Sequence, residues 1–299
     1  MNPTKTQMVG FIGLGIMGGP MAGNLVAAGY DVVGYNRSPA KVRALVERGG
    51  RAAGSVADAV EGADVVITML PDSPDVESVV LGENGAFSVA KSGVLFIDMS
   101  TIRPDVSRRI ADAGTESGIR VLDAPVSGGE QGAIEGTLSI MVGGGAEDVA
   151  AARPLLDVLG ATVVHVGPAG AGQTVKAANQ LIVAGNLELI AEAIVFLEAS
   201  GVDAGPALEV IGGGLAGSTA LARKGDSMLA RNFQPGFRLD LHHKDLGIAQ
   251  AAAREAGVAL PLGSAVSQLV GALRAQGRGN LDHSALLGLV EQLSGRANG

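Results

Sequence analysis

The chain has 299 residues, room for one large or two ordinary domains, and its 47% hydrophobic against 17% charged residues exclude a chain that stays unfolded. With 30 acidic and 22 basic residues it carries a net charge of -8, which argues against nucleic-acid binding through bulk charge and requires locally placed Arg or Lys for any anionic ligand. Cysteine is absent, which removes disulfides, thiolate nucleophiles and Cys-ligated zinc and fits a reducing, cytoplasmic setting.

The opening MNPTKTQMVGFIGLG has no cationic segment leading into a long apolar core, and no uncharged run makes a plausible apolar span of the roughly eighteen residues a bilayer requires, so a soluble chain without membrane contact is expected. In chain order, β-rich runs occupy 8–12, 31–35, 64–70, 94–98, 121–124, 139–142 and 162–166, with helical patterns between most of them. Alternating β and α predicts an α/β fold with a largely parallel, doubly wound sheet of the Rossmann type. Ser38 and Pro39 supply an N-cap and first-turn proline before a helix over 40–48 that Gly49 stops, and Thr101 with Pro104 opens a stretch ending near Gly118.

Beyond 166 no further convincing strand is found. Residues 172–200 read as one helix of about 40 Å at 1.5 Å per residue, followed by helical patterns over 207–211, 219–230, 241–256, 262–275 and 284–293. The expected organisation is a dinucleotide-binding domain over 1–167 and an all-α domain for substrate binding and oligomerisation over 168–299, joined by the long helix. That helix carries only Lys176, Glu188, Glu192 and Glu198 as charges, so its circumference needs cover from the second domain or another subunit, and a homodimer or homotetramer is expected. Residues 1–6 and 295–299 read as loose termini.

Gly13, Leu14, Gly15, Ile16, Met17 and Gly18 form a GxGxxG turn directly after the first β run and open an amphipathic helix. Gly13 allows the tight turn, Gly15 lets backbone approach a pyrophosphate, and Gly18 allows close packing of helix on strand. The next strand ends at Tyr35 and is followed by Asn36, Arg37 and Ser38, where NAD-binding units often carry a carboxylate for the ribose 2′-hydroxyl. Without that carboxylate, Arg37 and Ser38 favour NADP over NAD, although Ser38 also suits a plain helix cap, Arg37 a solvated surface, and Asn36 a hydroxyl.

Lys176 is the sole charge between 167 and 187 and lies near the start of the long helix. The helix dipole and partial burial would both lower its pKa toward the range of a general acid or base. Asn179 shares its face and can hold a substrate oxygen beside the ammonium; the plain alternative is a lysine reaching out to solvent. At the end of a β run, Asp123 to Gly129 reads DAPVSGG. Here the Ser127 hydroxyl and the amides of Gly128 and Gly129 can cradle a small carboxylate, or the segment is a hinge or strand exit. Thr68, Met69, Leu70 and Pro71, and likewise Met99, Ser100 and Thr101, follow β runs where a coenzyme would lie. His242 and His243 are adjacent and His165 and His283 isolated, so all are read as structural, and neither zinc nor a Ser/His/Asp triad is expected. Lys244 is either a helix-surface lysine or a mobile cation over a coenzyme phosphate.

With these motifs in order, namely GLGIMG followed by Gly19 to Leu25, the DAPVSGG segment, GAGQTVKAAN over 170–179 and Lys244-Asp245-Leu246, the chain resembles the β-hydroxyacid dehydrogenases from end to end. The stretches over 213–219, 231–238 and 282–286 are similar to the branch of that family acting on 2-hydroxy-3-oxopropanoate. The resemblance implies lysine acid/base catalysis at Lys176, substrate contacts at Ser127, Gly128, Gly129 and Asn179, and coenzyme contacts at Thr101 and Lys244. It implies hydride transfer between NADP or NAD and a small carboxylate-bearing aldehyde or alcohol, giving glycerate in that branch. The alternatives are a 3-hydroxyisobutyrate dehydrogenase or another short-chain semialdehyde reductase, and, outside enzymes, a dinucleotide-sensing binding protein. Sulfonate-aldehyde reductases of the same fold depart at the Ser-Gly-Gly segment and imine reductases lack the lysine; neither departure occurs here.

Overall fold

In the computed structural model, which describes residues 7–296, the chain divides into two compact units, one through Lys176 and one from Ala177. The first unit runs β1 (Met8–Ile12), α1 (Gly18–Ala27), β2 (Asp31–Tyr35), α2 (Pro39–Val46), β3 (Arg51–Ala52), α3 (Val56–Val60), β4 (Val65–Thr68), α4 (Ser73–Leu81), α5 (Ala86–Val89), β5 (Leu95–Asp98) and α6 (Pro104–Glu116). It continues with β6 (Arg120–Asp123), β7 (Val126–Ser127), α7 (Gly129–Glu135), β8 (Ser139–Gly143), α8 (Ala146–Leu159) and β9 (Thr162–Gly167). Helix α9 (Ala171–Ala199) begins in this unit and continues into the second, which holds α10 (Ala204–Gly212), α11 (Thr219–Leu229), α12 (Leu239–Glu255), α13 (Pro261–Ala275), a 3-10 turn at His283–Ala285 and α14 (Leu286–Leu293). The boundary read from sequence, 167/168, separates strands from helix; the contacts of the fold keep the first residues of α9 with the strands.

Strands run in the order β3-β2-β1-β4-β5-β6-β8-β7, with β9 also on β8. From β3 to β6 all pairs are parallel. The central strands β1, β4 and β5 bury both faces, and the period of two divides their residues between two cores. Phe11, Ile67 and Ile97 enter one core, while Ile12, Val66 and Phe96 enter the other. The order reverses between β1 and β4, the switch point where ligands of open α/β sheets bind.

The parallel arrangement ends at β6, because β8 pairs with it antiparallel and β9 then follows β8 in parallel. The connection before β8 carries β7 and the seven-residue α7. The two-residue strands β3 and β7 were not anticipated; they exist through their pairing with β2 and β8.

Helix ends follow their caps, with corrections to the expected ones. Ser38 stands at the N-cap of α2 but its hydroxyl makes no capping bond, and the N-cap before Pro104 is Arg103. Helix α10 starts at Ala204, earlier than expected, because the Asp203 carboxylate accepts the Gly205 N–H. At the C-terminal end, Gly295 and Arg296 are hydrogen-bonded to Gln292 and Glu291 carbonyls and so are not loose; 1–6 and 297–299 lie outside the described residues.

In the second unit Leu187, Ile194, Leu246, Val270 and Leu286 form a fully buried core. By length and composition α9 could cross a bilayer, yet Ala184, Leu187, Ala191 and Ile194 are fully buried among the other helices. His242 and His283, far apart in sequence, meet in this core with Nδ1 atoms 2.9 Å apart, beside Phe237. His242 Nε2 lies 3.2 Å from the Gln180 carbonyl, which only accepts, so this nitrogen carries the proton and the pair ties α12 to α9.

Candidate active site

Gly13 turns the chain out of β1 at φ 100°, and its N–H bonds the Tyr35 carbonyl at 2.9 Å. A Cβ there would strike the Met69 carbonyl, and one at Gly18 the Gly13 carbonyl, so both glycines are required by close packing. At Gly15 nothing lies within 4 Å of a Cβ position. The turn therefore holds an open cradle over its central glycine, the geometry a dinucleotide pyrophosphate needs at the carboxyl end of β1.

Asn36 joins the β2–α2 turn to the glycine turn. Its Oδ1 accepts the Leu14 N–H at 3.0 Å and its Nδ2 donates to the Ser38 carbonyl at 3.4 Å, so its amide braces the glycine turn. Leu14 itself is buried in the core. Arg37 and Ser38 are exposed beside this turn, and the Arg37 guanidinium stands 3.7 Å from the Asp75 carboxylate in the first turn of α4.

The ends of β4, β5 and β6 form a buried polar network. Thr68 faces inward and donates to Asp98 Oδ1 at 2.7 Å, while Ser100 accepts the Leu70 N–H at 2.8 Å. Both hydroxyls thus take part in bonds within the sheet edge. Met69 and Leu70 are half-buried against the cores, and Pro71 is exposed. Burial pushes the Asp98 carboxyl up to about 6 despite bonds from Ser100 and Thr68, with Asp123 on the adjacent strand adding to the shift.

Asp123 ends β6, and its two oxygens accept the N–H groups of Gly170 at 2.7 Å and Gln173 at 2.9 Å. Gln173 in turn accepts the Ile102 N–H at 3.1 Å and donates to the Ser100 carbonyl at 2.8 Å, flanking Thr101. The first turn of α9 is thus fastened to the carboxyl edge of the sheet, with Lys176 one turn further along and 6% exposed. Burial of Lys176 excludes the solvent-reaching alternative. Sequence reading missed Gln173 as an anchor; a polar residue within an apolar helix start was the available signal.

Ser127 is held by β7, paired antiparallel to Ser139 of β8, which displaces the hinge alternative. Gly128 and Gly129 follow at φ 138° and 66°, conformations that admit glycine, and Gly129 is exposed with open space around it.

In the second unit Asn179 Nδ2 donates to Gln180 Oε1 at 2.9 Å, and Gln180 Nε2 donates to the buried Asp245 carboxylate. Lys244 Nζ lies 2.9 Å from Asp245 Oδ1. The fold therefore joins Asn179 and Lys244, far apart in sequence, through Gln180 and Asp245. Among the described residues no group of three His, Asp or Glu is arranged to hold a metal ion.

A nucleotide cradle at the switch point, followed by a helix carrying a buried lysine, defines an NAD(P)-dependent oxidoreductase with a Rossmann-type first domain and a helical second one. The profile of the NAD-binding domain of 6-phosphogluconate dehydrogenase matches residues 8–167, and that of NADP-dependent 3-hydroxyisobutyrate dehydrogenase matches residues 170–290. The chain is 41% identical over 286 residues to 2-hydroxy-3-oxopropionate reductase of Escherichia coli, covering 96% of this chain and 98% of that one. It is 38% identical over 292 residues to 2-(hydroxymethyl)glutarate dehydrogenase of Eubacterium barkeri, covering 97% of each. A solved structure of Mycobacterium tuberculosis 3-hydroxyisobutyrate dehydrogenase with L-serine superposes with a TM-score of 0.87 at 36% identity, covering 94% of this chain and 98% of that one. The chain belongs to the β-hydroxyacid dehydrogenase family.

Proposed function

We propose that this family member reduces 2-hydroxy-3-oxopropanoate to glycerate with Lys176 as the proton donor. The observation that carries the chemistry is a buried lysine on a helix whose first turn Asp123 and Gln173 fasten to the nucleotide-binding sheet. The reduced nicotinamide supplies a hydride to the aldehyde carbon. Lys176 Nζ gives its proton to the aldehyde oxygen as the negative charge develops, leaving a neutral amine that regains a proton from water. Ser127 donates its hydroxyl to the substrate carboxylate, and the Gly128 and Gly129 amides bind the same group. Asn179 orients the reacting oxygen. The substrate assignment draws on the reductase of Escherichia coli and on the stretches over 213–219, 231–238 and 282–286.

For the coenzyme we favour NADPH. Arg37 is exposed beside the glycine turn and no carboxylate follows β2, so a 2′-phosphate meets a guanidinium. Thr101, held between the two Gln173 bonds, and Lys244 contact the coenzyme in this reading. The absence of cysteine fits a cytoplasmic enzyme.

A second reading, oxidation of 3-hydroxyisobutyrate, is favoured by the profile over residues 170–290 and by the Mycobacterium tuberculosis structure. Both substrates carry a carboxylate two bonds from the carbon that exchanges hydride, so they differ in the group on the intervening carbon. Coenzyme absorbance across three- and four-carbon semialdehydes separates them. The highest kcat/KM is expected with 2-hydroxy-3-oxopropanoate; a higher value with the methyl-bearing semialdehyde selects the second reading, and no turnover with any would leave a dinucleotide-sensing protein.

We further infer that the chain acts as a homodimer or homotetramer. Val175, Ile182, Leu189 and Phe196 are exposed on α9 at seven-residue spacing, a seam that a second copy of the same helix complements across a two-fold axis.

A further inference from the structure

We propose that Asp75 is a coenzyme-selecting residue that competes with a 2′-phosphate for Arg37, an inference that rests on the coenzyme reading above. The bond from Leu14 N–H to Asn36 Oδ1 ties the β2–α2 turn to the glycine turn. With a pyrophosphate on that turn, the adjoining Arg37 stands where the adenosine ribose lies.

The guanidinium of Arg37 is 82% exposed, and Asp75 at 3.7 Å, itself 33% exposed, is the partner it has found. Arg37 follows β2 and Asp75 opens α4 after β4, the strands on either side of β1. Their pair therefore reaches over the end of β1, across the switch point. At 3.7 Å it is a charge contact without a hydrogen bond, weak enough for Arg37 to leave.

Asp75 supplies from α4 the carboxylate that NAD-binding units carry at the end of β2. Toward a ribose 2′-hydroxyl it is an acceptor and leaves affinity intact. Toward a 2′-phosphate it acts twice, by holding the guanidinium that the phosphate needs and by adding a like charge beside a dianion. The result is a site that tolerates both coenzymes, with its preference for the phosphorylated one held down by a single side chain.

The test needs no turnover. Adenosine 2′,5′-bisphosphate and 5′-AMP are titrated calorimetrically into the wild-type chain, Arg37→Ala, Asp75→Asn and the double variant, with circular dichroism confirming that each is folded. Arg37→Ala is expected to weaken the bisphosphate about tenfold or more and leave 5′-AMP unchanged. Asp75→Asn is expected to tighten the bisphosphate about three- to tenfold, the weight of one screened carboxylate charge, again sparing 5′-AMP. In the Arg37→Ala background that gain should shrink. An equal gain in both backgrounds, or none in either, overturns the competition. Bisphosphate binding that ignores Arg37→Ala instead removes the coenzyme reading, and this inference with it.

Discussion

Asp123 accepts the Gln173 N–H at 2.9 Å, so the last residue of β6 caps the helix that presents Lys176 one turn later. A helix is stiff over so short a distance, and the anchor thereby sets the position of the ammonium relative to the sheet edge. The same carboxylate accepts the Gly170 N–H, and Gln173 passes the constraint on to the loop after β5.

Replacing this anchor should cost both stability and turnover. Asp123→Ala leaves two buried N–H groups without an acceptor, a loss of about 2 to 6 kcal/mol at roughly 1 to 3 each, read from the denaturant midpoint. Turnover should fall about tenfold or more, because misplacing the proton donor raises the barrier, while 5′-AMP affinity at the glycine turn holds. Wild-type turnover in a destabilised variant would separate the anchor from the chemistry.

Lys176→Met should lower kcat by at least about a hundredfold, the low end for general acid catalysis, with little change in coenzyme affinity. Lys176→Arg should be nearly as slow, since a guanidinium keeps the charge but does not release its proton near neutral pH. Rapid turnover in either variant, measured by coenzyme absorbance, removes the lysine from proton transfer.

The buried carboxyl of Asp98 makes stability depend on pH. Burial raises it to about 6 against about 3.9 when unfolded, so the native state holds the proton more tightly. Its contribution is present below about pH 4 and is lost as pH rises through 6. Asp98→Asn keeps an acceptor for Thr68 without the charge. Its stability relative to wild type should improve between pH 4 and pH 7, by about 2 to 3 kcal/mol, read from melting curves. A pH-independent difference would contradict the shift. Glu188, raised to about 7 by burial and by Glu192, is common to both proteins and cancels.

The seam on α9 predicts an oligomer that resists dilution. Sedimentation at micromolar and nanomolar concentrations should show a dimer or tetramer throughout, and Leu189→Glu with Phe196→Glu should dissociate it by setting like charges in the apolar stripe. A folded, active wild-type monomer would rule out the assembly.

The sequence by itself determined what neighbouring residues encode. The alternating strands, the glycine turn with its three separate demands, the long helix and the odd lysine at 176 were all legible, because periodicity and a charge within an apolar run are local properties. Tertiary structure alone decided the partnerships. Asp123 meets Gln173, His242 meets His283 and Asn36 braces Leu14 only because the topology brings distant segments together. The same reason explains β3 and β7, two-residue strands stabilised by their neighbours, and the antiparallel pairing of β8 with β6. Thr68 and Ser100 were placed at the sheet edge by sequence, but their bonds were not legible, since position along a strand does not reveal that a buried carboxyl such as Asp98 waits across the sheet for a hydroxyl.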